Sequence, residues 1–173
     1  MRQLAFASLL VLAACSGGEA PDNAAAEQAA KANLQLAVGG WESVSEVTSM
    51  SREDEGEPRL KADAGTKTTV QACVAEGEGK RPPAALLAGI EGASCDYQNI
   101  YMSRGRLNAT MNCKRPDLSG MVLVGVEGTY TDKSFDITSD VRTSLATDGD
   151  IRYRAKASGR HTGACATEPV KAG

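Results

Sequence analysis

Five cysteines and a single histidine carry most of the chemical potential of this sequence. Cys73, Cys95, Cys113 and Cys165 form an even set, and Cys15 stands apart near the start. Four cysteines could bind zinc, but structural zinc sites usually carry short Cys-x-x-Cys pairs. Here the closest pair, Cys95 and Cys113, has 17 residues between its members, so two disulfides are the better reading. Four cysteines allow three connectivities, and disulfides of this kind belong to an oxidising compartment. A Ser-His-Asp or Cys-His site would have to use His161. That residue lies beside Arg160 and Gly163, and no Gly-x-Ser-x-Gly elbow occurs anywhere, so His161 is read as a strand-end surface residue. Asn108-Ala109-Thr110 matches the glycosylation sequon, too short a motif to weigh. No catalytic residue, metal ligand, phosphate loop or cofactor site is assigned.

The N-terminus carries a different chemistry. Arg2 precedes an apolar run from Leu4 to Ala14. That run is too short to span a bilayer, which takes about 20 residues. A positive start, a short apolar core and small residues are the order of a secretory signal. The exit, Leu12-Ala13-Ala14-Cys15, resembles the lipobox of bacterial lipoproteins. The resemblance implies cleavage before Cys15, a diacylglycerol thioether on its sulfur and an acylated new amine. Two or more acyl chains hold a protein stably on a bilayer, whereas one does so only marginally. Ser16 after the cysteine points to the outer membrane, facing the periplasm.

Residues 1–14 are thus expected as signal peptide and 15–35 as lipidated Cys15 with a low-complexity tether. Residues 36–166 are expected as one domain and 167–173 as a tail. The 173 residues lose 14 on cleavage, leaving 159. Arg2 leaves with the signal, so 18 bases face 22 acids, a balance that gives no reason to expect nucleic acid. The remaining aromatics are Trp41, Tyr97, Tyr101, Tyr130, Phe135 and Tyr153. A core built mainly of smaller aliphatic side chains gains from covalent staples.

Within the tether, residues 24–36 could form a helix, with Glu27 and Lys31 one turn apart. Beyond Leu36 the grammar is β: Thr, Val and Tyr in short runs broken by Gly-containing turns. Strands are expected near 39–50, 66–74, 95–102, 106–114, 120–131, 134–144 and 150–161. Pro82-Pro83 before Ala84-Ala85-Leu86-Leu87, closed by Gly89, marks a short helix. Two hairpins suggest their own register. Thr147-Asp148-Gly149 and Ser103-Arg104-Gly105 each read as a three-residue loop with Gly left-handed. The first sets Asp140 opposite Lys156 and Asp136 opposite Arg160, with Phe135, Ile137, Tyr153 and Ala155 facing inward. These charge pairs read as solvent-face decoration. The second sets Cys95 opposite Cys113, Tyr97 opposite Met111 and Tyr101 opposite Leu107. That register pairs Cys95 with Cys113 and leaves Cys73 for Cys165 by elimination.

The segment from about 38 to 165 resembles the bacterial domain of unknown function family 3617. The resemblance rests on Gly40-Trp41-Glu42, on Cys73 after a charged loop, and on Cys95 and Cys113 flanking a hairpin. Gly128-Thr129-Tyr130 before Phe135 and Gly163-Ala164-Cys165 complete it. It implies an exported, disulfide-bonded β domain and no activity. The expected fold is all-β: a curved antiparallel meander or small barrel-like sheet of about seven strands, with one short helix and two disulfides. The expected role is non-enzymatic, in a monomer tethered to the membrane: binding a protein or a small apolar ligand, or supporting the envelope. A carrier should show a pocket around Tyr97, Tyr101 and Met111. The alternative is an inhibitor of a secreted enzyme, like the lysozyme-inhibitor lipoproteins, using a protruding loop at Ser51–Ala64 or Ala75–Pro83. A hydrolase comes third.

Overall fold

The computed structural model describes residues 20–165. The signal segment, Cys15 and the tail from residue 167 lie outside the described residues. Helix α1, Ala20–Asn33, starts earlier than the sequence suggests and stops sooner. Lys31 bonds Glu27 across one turn at 2.6 Å. The helix ends because the following backbone is claimed elsewhere: Leu36 N–H donates to Gly79 O and Ala37 N–H to Asp132 O. Leu36 is thereby drawn into the core.

Seven strands follow: β1 Gly39–Arg52, β2 Lys67–Val74, β3 Ser94–Ser103, β4 Arg106–Lys114, β5 Gly120–Tyr130, β6 Ser134–Leu145 and β7 Ile151–Gly163. They form one antiparallel sheet in the order β2-β1-β7-β6-β5-β4-β3. Strands β3 to β7 run as a meander, and β7 then returns beside β1. The sheet curls into a half-barrel with β2 and β3 at its two edges. The short helix α2, Ala84–Ala88, packs on β1, β2, β3, β4 and β5, which sets it across the open side. It buries Leu86 and Leu87 completely and ends on Gly89 in the left-handed conformation.

Alternation along each strand sends one set of side chains inward. Val122, Val124 and Val126 of β5, Met111 of β4 and Val141 of β6 fill the concave side. At one end Trp41 stacks on Phe135, with centroids 6.0 Å apart, and its indole N–H donates to Ala37 O. Replacing a side chain of this size in such a site by alanine typically costs about 3–5 kcal/mol. Phe135 lies over Gly159 of β7, where a Cβ would overlap its ring.

The strand faces are as expected except on β3 beyond Gln98, where Tyr101 turns outward and Met102 inward, and both hairpin registers need correction. In β6–β7, Asp140 stands opposite Arg154 rather than Lys156, and Asp136 opposite Ser158 rather than Arg160. The connection is wider than three residues. Asp150 takes the place of ladder partners: its carboxylate accepts from Leu145 N–H and from Thr143 Oγ1, both at 2.9 Å. Gly149 is not left-handed. It packs instead on the backbone of Gly56, and its N–H donates to Glu57 O. The slip is two residues, so Phe135, Ile137, Tyr153 and Ala155 still face inward. In β3–β4 the turn is two residues, with Arg104 at φ 51° and Gly105 at φ 76°, the pattern of a type I′ turn. A bulge at Gln98 makes up the difference. Cys95 faces Cys113 and Tyr97 faces Met111 as expected, but beyond the bulge Tyr101 faces Asn108 and Met102 faces Leu107.

Two disulfides join Cys95 to Cys113 and Cys73 to Cys165, with Cα–Cα distances of 4.0 and 5.3 Å. The first staples the edge strand β3 to β4. The second ties the other edge strand, β2, to the chain beyond β7.

Two predictions follow from this packing. Gly159→Val forces Phe135 aside and is expected to lower stability by about 1–3 kcal/mol or more. Gly125→Val points outward, where a Cβ meets only Asp140 O at 3.9 Å, and should be neutral or slightly stabilising. Denaturant melts of the two variants compare them directly, and equal losses would contradict the assigned faces. The disulfides differ in the loop they close, 92 against 18 residues of separation. On the chain-entropy model they contribute about 4.5 and about 3 kcal/mol. The double variant Cys73→Ser with Cys165→Ser should therefore melt below Cys95→Ser with Cys113→Ser; the reverse order would contradict this.

Candidate functional site

The far end of the half-barrel, opposite the end where α1 leaves, holds a cleft of about 390 Å³. Ligand sites commonly fall within about 300–1,000 Å³. Its floor is made by Ser45 of β1 and Tyr153 of β7, and Ile90, just past α2, forms one wall. The rim carries Arg59 and Lys61 from the β1–β2 loop and Arg115 from the β4–β5 turn, with Glu91 as an opposing acid. Gly89, at the end of α2, packs closely on Ser45, where an added Cβ would sit 3.0 Å from Ser45 Cβ.

The cations are held from behind. Arg115 makes a bidentate pair with Asp117, Nε to Oδ1 at 2.8 Å and Nη2 to Oδ2. Asp117 holds the guanidinium pKa above its ordinary value. Arg59 reaches Asp148 at 3.6 Å and donates to Asp117 O. Lys61 has no acid within ion-pair distance among the described residues. Burial pushes the Tyr153 phenol up to about 12, against a smaller opposing pull from Arg115. Tyr153 is thus neutral at physiological pH, a hydroxyl that can donate or accept. The arrangement suits an anionic group at the rim and an apolar portion against Ile90, Val47 and Leu60.

The residues singled out in the sequence lie elsewhere. His161 Nε2 sits 3.0 Å from Val38 O, and its ring meets Trp41 edge-on at 5.6 Å. It packs at the tether end and is not hydrogen-bonded to a Ser or Cys among the described residues. Tyr97, Tyr101 and Met111 do not converge on a pocket: Met111 is buried, Tyr97 donates to Pro82 O at 2.8 Å, and Tyr101 is 59% exposed. The bulge at Gln98 turned Tyr101 outward. Asp140 forms an ion-pair cluster with Arg152 and Arg154 on the convex face. The hydrogen bond from Arg152 is the main reason its carboxyl titrates below the usual range. A shallow depression of about 430 Å³ on that face is lined by Lys67, Glu46, Lys156, Asp136 and Glu127, charges of both signs spread over β2, β1, β7, β6 and β5.

The two loops considered as inhibitory are pinned at a few points and exposed over most of their length, with residues 51–57 exposed throughout. Leu60 and Ala62 are buried in the core, and Glu53 N–H bonds Asp150 O. In the other loop Gly79 and Pro82 are buried, while residues 75–78, Lys80 and Arg81 are exposed. Among the described residues no three His, Cys, Asp or Glu side chains are grouped to hold a metal ion, and no helix is long and apolar enough to cross a membrane. The cleft was hardly legible beforehand, because its residues come from six separate segments and none forms a motif. The one local signal was Gly89 after Leu86-Leu87, which placed the end of α2.

The model for the family described as "Protein of unknown function (DUF3617)" matches residues 36–165. No curated protein and no solved structure matches the chain. The matched segment spans all seven strands, α2 and both disulfides, and the chain belongs to the DUF3617 family.

Proposed function

We propose that this chain is an exported lipoprotein, held in the outer membrane by acyl chains on Cys15, whose β domain binds a small amphiphilic anion without transforming it. Leu12-Ala13-Ala14-Cys15 supports the anchor, and two disulfides suit an oxidising periplasm. The observation that carries the binding role is the cleft, where Arg115, Arg59 and Lys61 rim a floor containing Tyr153. The alternative, an inhibitor of a secreted enzyme, would make its contacts through the exposed residues 51–57 and 75–78.

Anchoring is tested by metabolic palmitate labelling. Wild type should incorporate label and Cys15→Ser should not, and globomycin should accumulate the unprocessed precursor; unlabelled wild type would refute the anchor. Binding is tested by amide NMR titration with octyl phosphate and octanoate. Shifts should cluster at Ser45, Gly89, Glu91 and Tyr153. Losing one charge-assisted hydrogen bond costs about 1.5–3 kcal/mol, so Arg115→Gln should weaken binding about ten-fold or more. Shifts scattered over the convex face, or none, would refute the site.

A further inference from the structure

We infer that the tether end of the half-barrel docks on an anionic phospholipid surface, so that the cleft faces away from the membrane. The inference rests on the lipid anchor at Cys15 proposed above. Helix α1 approaches the domain at one end, where Lys80 Nζ donates to Ala32 O and Tyr130 Oη donates to Leu34 O. That end is built from the β3–β4 turn, the β5–β6 turn, the start of β1 and the chain beyond β2. Fourteen helical residues span about 21 Å. Residues 15–19 could add at most about 18 Å when fully extended. So the acylated residue can lie no more than roughly 40 Å from this end, and a slack tether brings the end to the lipid headgroups.

The charge there has the matching sign. Arg104 and Lys133 stand exposed on the two turns, with Arg106 next to the first. None of the three has an acid within ion-pair distance among the described residues. Lys80 and Arg81 bring the count to five cations against Glu76, Glu78 and Asp132. The opposite end is acidic, with four acids in Glu53–Glu57 alone. Two exposed apolar groups share the basic end: Val38, 55% exposed, and Tyr101, 59% exposed. A tyrosine with an apolar ring and a wet hydroxyl is well suited to the headgroup level, and basic side chains add attraction to anionic lipid that salt screens.

The test uses the purified lipidated protein on vesicles of brominated phosphatidylcholine, with or without phosphatidylglycerol. Trp41 is buried, so Tyr101→Trp and Leu123→Trp each add one exposed reporter, at the basic end and on the convex face. The Tyr101→Trp reporter should lose most of its fluorescence when phosphatidylglycerol is present and regain it in high salt. The Leu123→Trp reporter should keep its signal, and adding Arg106→Glu with Lys133→Glu should abolish the quenching at position 101 while the protein still floats with the vesicles. A protein that floats while its Tyr101→Trp reporter stays bright, or whose two reporters quench equally, would overturn the docking. A protein that floats with neither vesicle would refute the anchor and the docking together. Flotation and quenching confined to phosphatidylglycerol vesicles would refute the anchor alone.

Discussion

The sheet of this domain curls but does not close, and its edges β2 and β3 are left facing one another across a gap. Everything inside the curve depends on how that gap is filled. A five-residue helix does it: α2 lays Leu86 and Leu87 into the concave side and touches both edge strands. Tyr97 of β3 donates to Pro82 O, just before the helix, and Gly89, just after it, rests on Ser45 of β1. The two disulfides act at the same two edges, one on β3 and one on β2. Edge strands are the weak places of an open sheet, and here each is held by one covalent bond and one face of the helix.

The cleft is a by-product of the same arrangement. Because α2 is short and stops at Gly89, the cleft opens just past it, over the largely buried Ser45 and Tyr153. The loops that cap the opening bring the cations. Opposite them, the end that carries α1 presents Arg104, Arg106 and Lys133, which have no ion-pair partner among the described residues. The domain is therefore polar along its axis, with a basic end at the tether and a recessed cleft at the acidic end.

Much of the fold was legible in the sequence, for a physical reason. Period-two alternation and turn residues are local signals, and each strand was placed within about two residues of where it lies. On β6 and β7 the side-chain faces also followed, since alternation survives a register slip of two. What was not legible depended on contacts distant in sequence. The β6–β7 turn opens because Asp150 bonds Leu145 and Thr143 while Gly149 packs on Gly56, some 90 residues earlier. The bulge at Gln98 leaves no mark in the composition, yet it moves Tyr101 from the expected pocket to the surface. The cysteine pairing was readable because the bulge lies beyond Cys95. The cleft was not, because Ser45, Arg59, Ile90, Arg115 and Tyr153 meet only once the sheet has curled.

If α2 holds both edges of the sheet, loosening it must loosen both. Native-state hydrogen exchange of Leu86→Ala, with both disulfides intact, measures this strand by strand. Amides of β2 and β3 should lose protection together, while those of β5, β6 and β7 change much less. Undiminished protection at both edges, or a loss at one edge alone, would contradict the claim that this helix closes the half-barrel.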